Sequence, residues 1–446
     1  MRFKVIIVLT GISFTLTSLF MGYSLINKFQ LETIENDTLL GKCENSISKK
    51  RDPQAFLEFA MALRLLKTYY ETYKHGSHMH FEDIEHEKMI TCFNTLEKQL
   101  FPWIVKKSWW PWASEPMYKD IDSIVATFPA GSRGIVISSC DSLFDYTVHM
   151  IIGLRQLSVN IPIMVTHVGN SDLSLKKQEY LHNMNVLTLD VSLYFDDSWL
   201  KMAGYAIKPF SILAAPFQEV MFLDADAVFI TSPMKFFEDA EYKKTGHLFQ
   251  KDRAIHHRWP KQKNWLEEHV PKPFSETLKE TQIYRGFGDH QMDSSFLIID
   301  KHKRIFSLLA TCKLNANKER ENFYYYFHGD KESFWIGAEM AGEPYSFLPH
   351  SPGVFGNFIE PTKLCGRQLL FDREGLPFYF NEAVVWDKSQ PHDKREVMPM
   401  PTHYEHHGRW YEHEQQRCLF THGIEFTSQE LARFEQLYSS FQHYPV

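Results

Sequence analysis

The sequence is short of the features that assign chemistry most directly. Its six cysteines (Cys43, Cys92, Cys140, Cys312, Cys365, Cys418) are scattered over 446 residues, with no CxxC pair and no Cys/His cluster. That argues against a structural zinc site. No GxGxxG or GxxxxGK[ST] motif sits at the first strand-to-helix turn, which argues against a dinucleotide fingerprint or a P-loop. Neither sign of charge dominates: 48 basic residues stand against 55 acidic ones, for a net charge of −7. Bulk attraction for a polyanion is therefore missing, and a dedicated nucleic-acid binder is excluded. There is no internal repeat, and one N-glycosylation sequon, Asn36-Asp37-Thr38. What is abundant is apolar and aromatic: 44% hydrophobic residues and 15% aromatic ones. Wholesale disorder is excluded, and at about 100–200 residues per domain the length allows two to four units.

One long uncharged run exists, Val5 to Ile26, with 22 residues. As a helix it rises about 33 Å, enough for a hydrocarbon core of about 30 Å. Arg2 and Lys4 precede it, so residues 1–4 are expected to form a cytoplasmic tail and 5–26 a signal anchor, with the body lumenal or outside. The alternative is a cleaved signal peptide, whose apolar region spans about 7–15 residues and ends at small residues. Ser18, Gly22 and Ser24 are interrupted by Met21, Tyr23 and Leu25. Asn36 falls just beyond the anchor, and an oxidising lumen would permit disulfides, with connectivity left open.

Beyond the anchor, residues 27–130 read as stem and helical preface, with helical spacing over 53–75 and 82–100. Trp103, Trp109, Trp110 and Trp112 among prolines are expected to pack within a loop. From 131 to 446 the pattern changes. Strands are predicted at 134–139, 162–168, 186–191, 219–225 and 295–300, and helices at 145–157, 174–184 and 209–217. Alternation of this kind specifies an α/β body with a mixed, mostly parallel sheet flanked by helices.

The chemistry gathers at one strand end. Val220-Met221-Phe222-Leu223 is an apolar run suited to a doubly buried strand, and it stops at Asp224-Ala225-Asp226. Alternating side chains allow both carboxylates on one side, beyond the carboxyl end of the strand where α/β sheets bind ligands. Two such carboxylates suit a hard divalent cation that also holds phosphate oxygens; the alternative is a pair of solvated loop carboxylates or a cap. Asp330, in Gly329-Asp330-Lys331-Glu332, is either a helix N-cap or, with Glu332, a carboxylate near a reacting carbon. Asp293 before Ser294-Ser295 is either turn chemistry or a sugar-hydroxyl contact. Lys208 opens a helix, to balance a pyrophosphate or simply to be exposed. His403, His407 and His422 are candidate late metal ligands among 22 histidines.

Several stretches resemble the fungal Golgi α-1,3-mannosyltransferase family, type II membrane enzymes of the GT-A fold. They are SRGIVIS (132–138), GYAIKPFSIL (204–213), EVMFLDADAVFITSP (219–233), TGHLFQKDR (245–253) and HGDKESFWIGAEMAGEPYSF (328–347). The resemblance covers about 130–380 and departs at Leu370, where the family pattern has a histidine. It implies a GT-A-like catalytic domain and a lumenal location in the Golgi membrane, where the chain could join other Golgi transferases. It implies Mn²⁺ held by Asp224 and Asp226, and GDP-mannose as donor. Arg133, Lys208 and Asp224 would meet the donor phosphates, and Asp330 the mannose, with Glu332 beside it. A mannose-containing glycan of a glycoprotein would be the acceptor, contacted by Asp293 and Trp335, with Tyr345 and Phe347 as further stacking rings. The implied reaction is a retaining transfer forming an α-1,3 linkage, with α-1,2 transfer and a catalytically silent glycan-binding or scaffold protein as alternatives.

Overall fold

The computed structural model describes residues 39–49, 52–75, 83–106, 116–253, 260–381, 400–405, 409–413 and 416–442. The expected anchor at 5–26, Asn36, His407 and Trp109, Trp110 and Trp112 lie outside the described residues. Among the described residues no helix is long and apolar enough to cross a membrane. The chain divides into two compact units, Met1–Arg51 with Leu65–Leu100, and Asp52–Arg64 with Phe101–Val446.

The helices expected over 53–75 and 82–100 form as Phe56–Tyr69 and Asp83–Leu100. Within the smaller unit a disulfide joins Cys43 to Cys92, and Tyr69 stacks on Phe93 with centroids 4.2 Å apart. Residues 101–130, expected in the stem, belong instead to the larger unit. There Trp103 is buried edge-on against Phe195 and Phe210, at 5.4 and 5.2 Å. A tryptophan that fills a core leaves no boundary beside it.

The larger unit is built on strands β1 (Arg133–Ser138), β2 (Ile163–His167), β3 (Leu187–Asp190), β4 (Glu219–Asp224), β5 (Ala227–Phe229), β6 (His247–Lys251) and β7 (Met292–Asp300). Six of them form a sheet in the order β3-β2-β1-β4-β7-β6. β1 to β4 are mutually parallel, and β7 runs antiparallel to both β4 and β6. The expected mixed, mostly parallel α/β sheet is what forms. Continuous apolar runs explain the central strands: Gly134 to Ile137 of β1 and Val220 to Leu223 of β4 are buried on both faces. Helices Phe144–Gln156, Ile207–Ala214, Lys301–Leu314 and Ser333–Ala341 accompany the strands.

One antiparallel strand has a large consequence. Because β7 reverses direction, its amino end, with Asp293 and Ser294, returns to the sheet edge where β4 ends in Asp224. Leu223 faces Phe296 in the register.

A second, antiparallel sheet was not foreseen in the sequence. It contains β8 (Gly353–Glu360), β9 (Lys363–Phe371), β10 (Pro377–Asn381), β11 (His403–Glu405), β12 (Arg409–His413), β13 (Gln416–Phe420) and β14 (Ile424–Glu425). β10 pairs with β5, so the segment just after Asp226 enters this sheet. A disulfide joins Cys365 to Cys418 across directly paired positions of β9 and β13. Cys140 and Cys312 are free thiols.

Candidate active site at the strand ends

β4 delivers Asp224 at its last residue, and Asp226 follows in the two-residue turn to β5. The helix Ile207–Ala214 delivers Lys208 near its amino end. A cation there opposes the helix dipole, so its position calls for compensating anions. They are present: Lys208 Nζ lies 2.6 Å from Asp224 Oδ1 and 3.8 Å from Asp330 Oδ1, and donates to Ser294 Oγ at 3.1 Å. Lys208 is buried, which corrects the exposed alternative. The same helix is held at its other end by the buried Lys301, whose ammonium donates to the carbonyls of Ile212 and Ala215 at 3.0 and 2.5 Å. β7 therefore pins the helix twice, through Ser294 near its start and through Lys301 just after its end.

These charges perturb one another. Burial pushes the Asp224 carboxyl up to about 7, with the charges of Asp226 and Asp330 adding, against the pull of Lys208. Burial alone would lower the Lys208 ammonium, but Asp224 and Asp330 override it and hold it above the usual lysine value. Burial also raises Asp330. Asp224 keeps 21% of its side-chain surface exposed while Asp330 keeps 3%, so solvent reaches the first carboxylate far more than the second.

Asp330 is not the helix cap. The helix Ser333–Ala341 starts after Glu332 with no side-chain cap bond, and only the Asp330 backbone carbonyl serves Ser333. Asp330 Oδ2 is buried without a hydrogen-bond partner, an expensive arrangement unless something is bound or exchanged there.

Other expected site residues take different roles. Glu332 has no exposed surface; its Oε1 accepts from the Gln291 amide at 3.0 Å and its Oε2 from the Trp335 indole at 2.6 Å. It ties the loop carrying Asp330 to the start of β7 and is a positioning residue, which corrects the expectation of a reacting carboxylate. Trp335 and Tyr345 are buried, with Tyr345 donating to Glu339 at 2.7 Å. Phe347 packs on Phe249 at 5.7 Å. Trp335, inside the fully buried helix Ser333–Ala341, and Tyr345, buried beyond the end of that helix, present no ring face for a sugar to stack on. Arg133 opens β1, paired with Glu219 and Glu238 at 2.9 Å each. Its register partner is Glu219, at the opposite end of β4 from Asp224. Arg133 thus lies a strand length from the cluster. Asp293 does reach the right edge, but its oxygens accept from the Ser295 amide at 2.8 Å and the Gln368 amide at 2.8 Å. His403 faces Glu425 at 3.8 Å and His422 is exposed; among the described residues no three His, Cys, Asp or Glu side chains converge as a metal cage. Leu370 is core.

One exposed ring was missed. Tyr205, 56% exposed, sits in the short turn Gly204–Ala206 before the helix, with Lys208 Nζ 5.8 Å from its centroid. Its ring lies against Gly329, where a β-carbon would come within 3.1 Å, and Gly329 holds φ +66°. Only glycine fits that loop so closely. Tyr205 is three residues before Lys208 at a helix start, and that spacing was the available signal.

Removing the buried acceptor is a direct check on Glu332. E332A strands the Gln291 and Trp335 N–H groups and is expected to cost about 3–5 kcal/mol of stability, read from the denaturation midpoint. Burial raises Glu332 from 4.5 to about 7. Its protonated form is therefore favoured by folding, and that contribution is complete below the unfolded value and lost as pH rises to about 7. Wild-type stability relative to E332Q is expected to fall across that window.

An α/β protein with carboxylates and a buried cation converging beyond its strand ends belongs to the ligand-binding class that uses this edge of the sheet. Residues 132–372, more than half of the chain, match the family model described as "Mannosyltransferase putative". The chain belongs to this mannosyltransferase family. It is 26% identical over 316 residues to alpha-1,3-mannosyltransferase MNT2 of Saccharomyces cerevisiae, covering 60% of this chain and 55% of that protein. It is 27% identical over 304 residues to alpha-1,3-mannosyltransferase MNN1 of the same yeast, covering 58% and 38%. The chain spans about half or less of the length of these curated relatives. The galactosyltransferase LgtC, solved with donor and acceptor sugar analogues, superposes with a TM-score of 0.33 at 12% identity, over 48% of this chain and 73% of that one. That likeness is too loose to bear on the site. The resemblance to fungal α-1,3-mannosyltransferases holds.

Proposed function

We propose that this chain is a retaining mannosyltransferase that moves mannose from GDP-mannose to a mannose hydroxyl of a glycoprotein glycan, forming an α-1,3 linkage. The observation that carries the reading is the strand-end cluster in which Lys208 joins Asp224 to Asp330. Family membership and the names of the relatives support it. The same reading places the chain in the Golgi membrane by its apolar run, with this site in the lumen.

The donor set fits a hard divalent cation in part. Asp224, partly exposed, and Asp226 offer oxygen ligands, and phosphate oxygens of the donor would complete the shell. Held there, Mn²⁺ would act as a Lewis acid toward the leaving pyrophosphate. The residues do the rest. Lys208, within reach of both Asp224 and Asp330, supplies a positive charge to the cluster where negative charge grows on the departing phosphate. The C1–O bond to phosphate breaks and the acceptor oxygen bonds C1 on the same face. The acceptor proton passes to the departing phosphate oxygen, so GDP leaves and the α configuration is kept. Asp330, nearly buried and close to the Lys208 ammonium, steadies the oxocarbenium-like state. Tyr205 offers the acceptor sugar an apolar face. Y205A is expected to raise acceptor KM about tenfold with kcat and donor KM little changed, read from initial rates.

The deciding assay incubates the full chain with GDP-mannose, Mn²⁺ and a mannobiose acceptor, and determines the linkage of the product. An α-1,3 product supports the proposal and an α-1,2 product revises the linkage. No transfer under conditions where the folded chain still binds the glycan overturns it in favour of a silent glycan-binding protein.

A further inference from the structure

Three observations concern the same few atoms. Lys208 Nζ makes its shortest contact, 2.6 Å, with Oδ1 of Asp224. Asp330 Oδ1 lies 3.8 Å from that ammonium, and Asp330 Oδ2 is buried with no hydrogen-bond partner. Ser294 Oγ, which accepts from Lys208 at 3.1 Å, also interacts with Asp330. The ammonium therefore has two anionic seats joined by one hydroxyl, and it occupies the one that a metal ion would need.

We propose that Lys208 is a built-in competitor of the divalent cation, exchanging its contact with Asp224 for one with Asp330 when the cation binds. The inference rests on the proposed metal role of Asp224 and Asp226. An ammonium and a dication cannot share one carboxylate oxygen at close range without strong repulsion, and the low dielectric of a buried cluster sharpens it. Asp330 resolves the conflict because its unpartnered oxygen gains a charge-assisted hydrogen bond in the exchange. Asp226 and Asp330 are the acidic groups that act on Asp224, and Asp293 adds a weaker pull on Lys208. A lysine at a helix amino end, against the dipole, thereby has a use that a neutral residue could not serve. It offsets part of the site's negative charge before the cation arrives and delivers a positive charge to Asp330 afterwards. Cation binding and the electrostatics around Asp330 become one event.

The test reads Mn²⁺ binding to the full chain by isothermal titration, with Mn²⁺ alone and no donor, apart from any activity. K208M is expected to bind Mn²⁺ at least about fivefold tighter than wild type, the lower end of usual site-to-site coupling. D330N, which removes the second seat, is expected to bind more weakly. That loss should shrink in K208M/D330N, since no ammonium remains to be relocated. K208R, which keeps the competitor, is expected to stay near wild type. K208Q replaces K208M if the latter lacks the native circular dichroism spectrum. Equal or weaker binding by the neutral variants, with normal wild-type binding lost in D224A/D226A, overturns the competition alone. Wild-type binding indistinguishable from D224A/D226A overturns the metal reading beneath it.

Discussion

D226A is expected to lower mannosyl transfer by at least about 10³-fold, with D224A at least as severe, measured as kcat/KM for GDP-mannose at saturating Mn²⁺. The two substitutions are not equivalent. Asp224 forms the 2.6 Å pair with Lys208, so D224A removes a cation ligand and also leaves a buried ammonium leaning on Asp330 alone. Breaking such a pair by removing one partner is costly to the fold. Asp226 lies in the turn between β4 and β5 and is only partly buried, so D226A removes a carboxylate while the Lys208 pair persists. Thermal unfolding should separate them, with the larger fall in D224A. A D226A protein retaining a tenth or more of wild-type transfer would mean that Asp224 acts through Lys208 and that the pair is not a metal site.

D330N is expected to reduce kcat about 10²-fold while the KM for GDP-mannose changes less than about threefold. The reason lies in where Asp330 sits. It is nearly sealed from solvent, so water screens its charge little. An anion so placed interacts more strongly with the positive charge that develops at the anomeric carbon than with a neutral bound sugar. That is a transition-state effect, and it appears in kcat. Asparagine preserves shape and removes charge. Mass spectrometry of wild type during turnover of a slow donor gives a second check. A mannosyl ester on Asp330 would replace front-face attack by double displacement.

Much of this site could be read one strand at a time. β4 was legible because an apolar run buried on both faces ends abruptly in Asp224-Ala225-Asp226. The helix carrying Lys208 and the alternation of strands and helices were equally local signals. Lys208 itself was ambiguous, since a lysine at a helix start is exposed or buried according to what faces it. Its partner Ser294 lies 86 residues away. The antiparallel sheet from β8 to β14 is not legible in the sequence because its strands carry mixed polar and apolar residues without strict alternation. Their pairing is decided across the sheet rather than along the chain. Trp335 illustrates the opposite error. It is expected to contact the acceptor, but its helix is surrounded, and an aromatic there serves packing and Glu332.

The scarcity of motifs in this chain proves to be a property of how its site is assembled. The sequence by itself determined the strand-end carboxylates, the α/β class and the family resemblance, because those depend on residues that are neighbours in the chain. Tertiary structure alone decided that Arg133 stays at the wrong end of the sheet, that Glu332 works from inside, and that Lys208 bridges Asp224 and Asp330. The first follows from the parallel pairing of β1 with β4 and the other two from the reversal of β7 and the burial it creates; long-range pairing of that kind leaves no periodic trace along the chain.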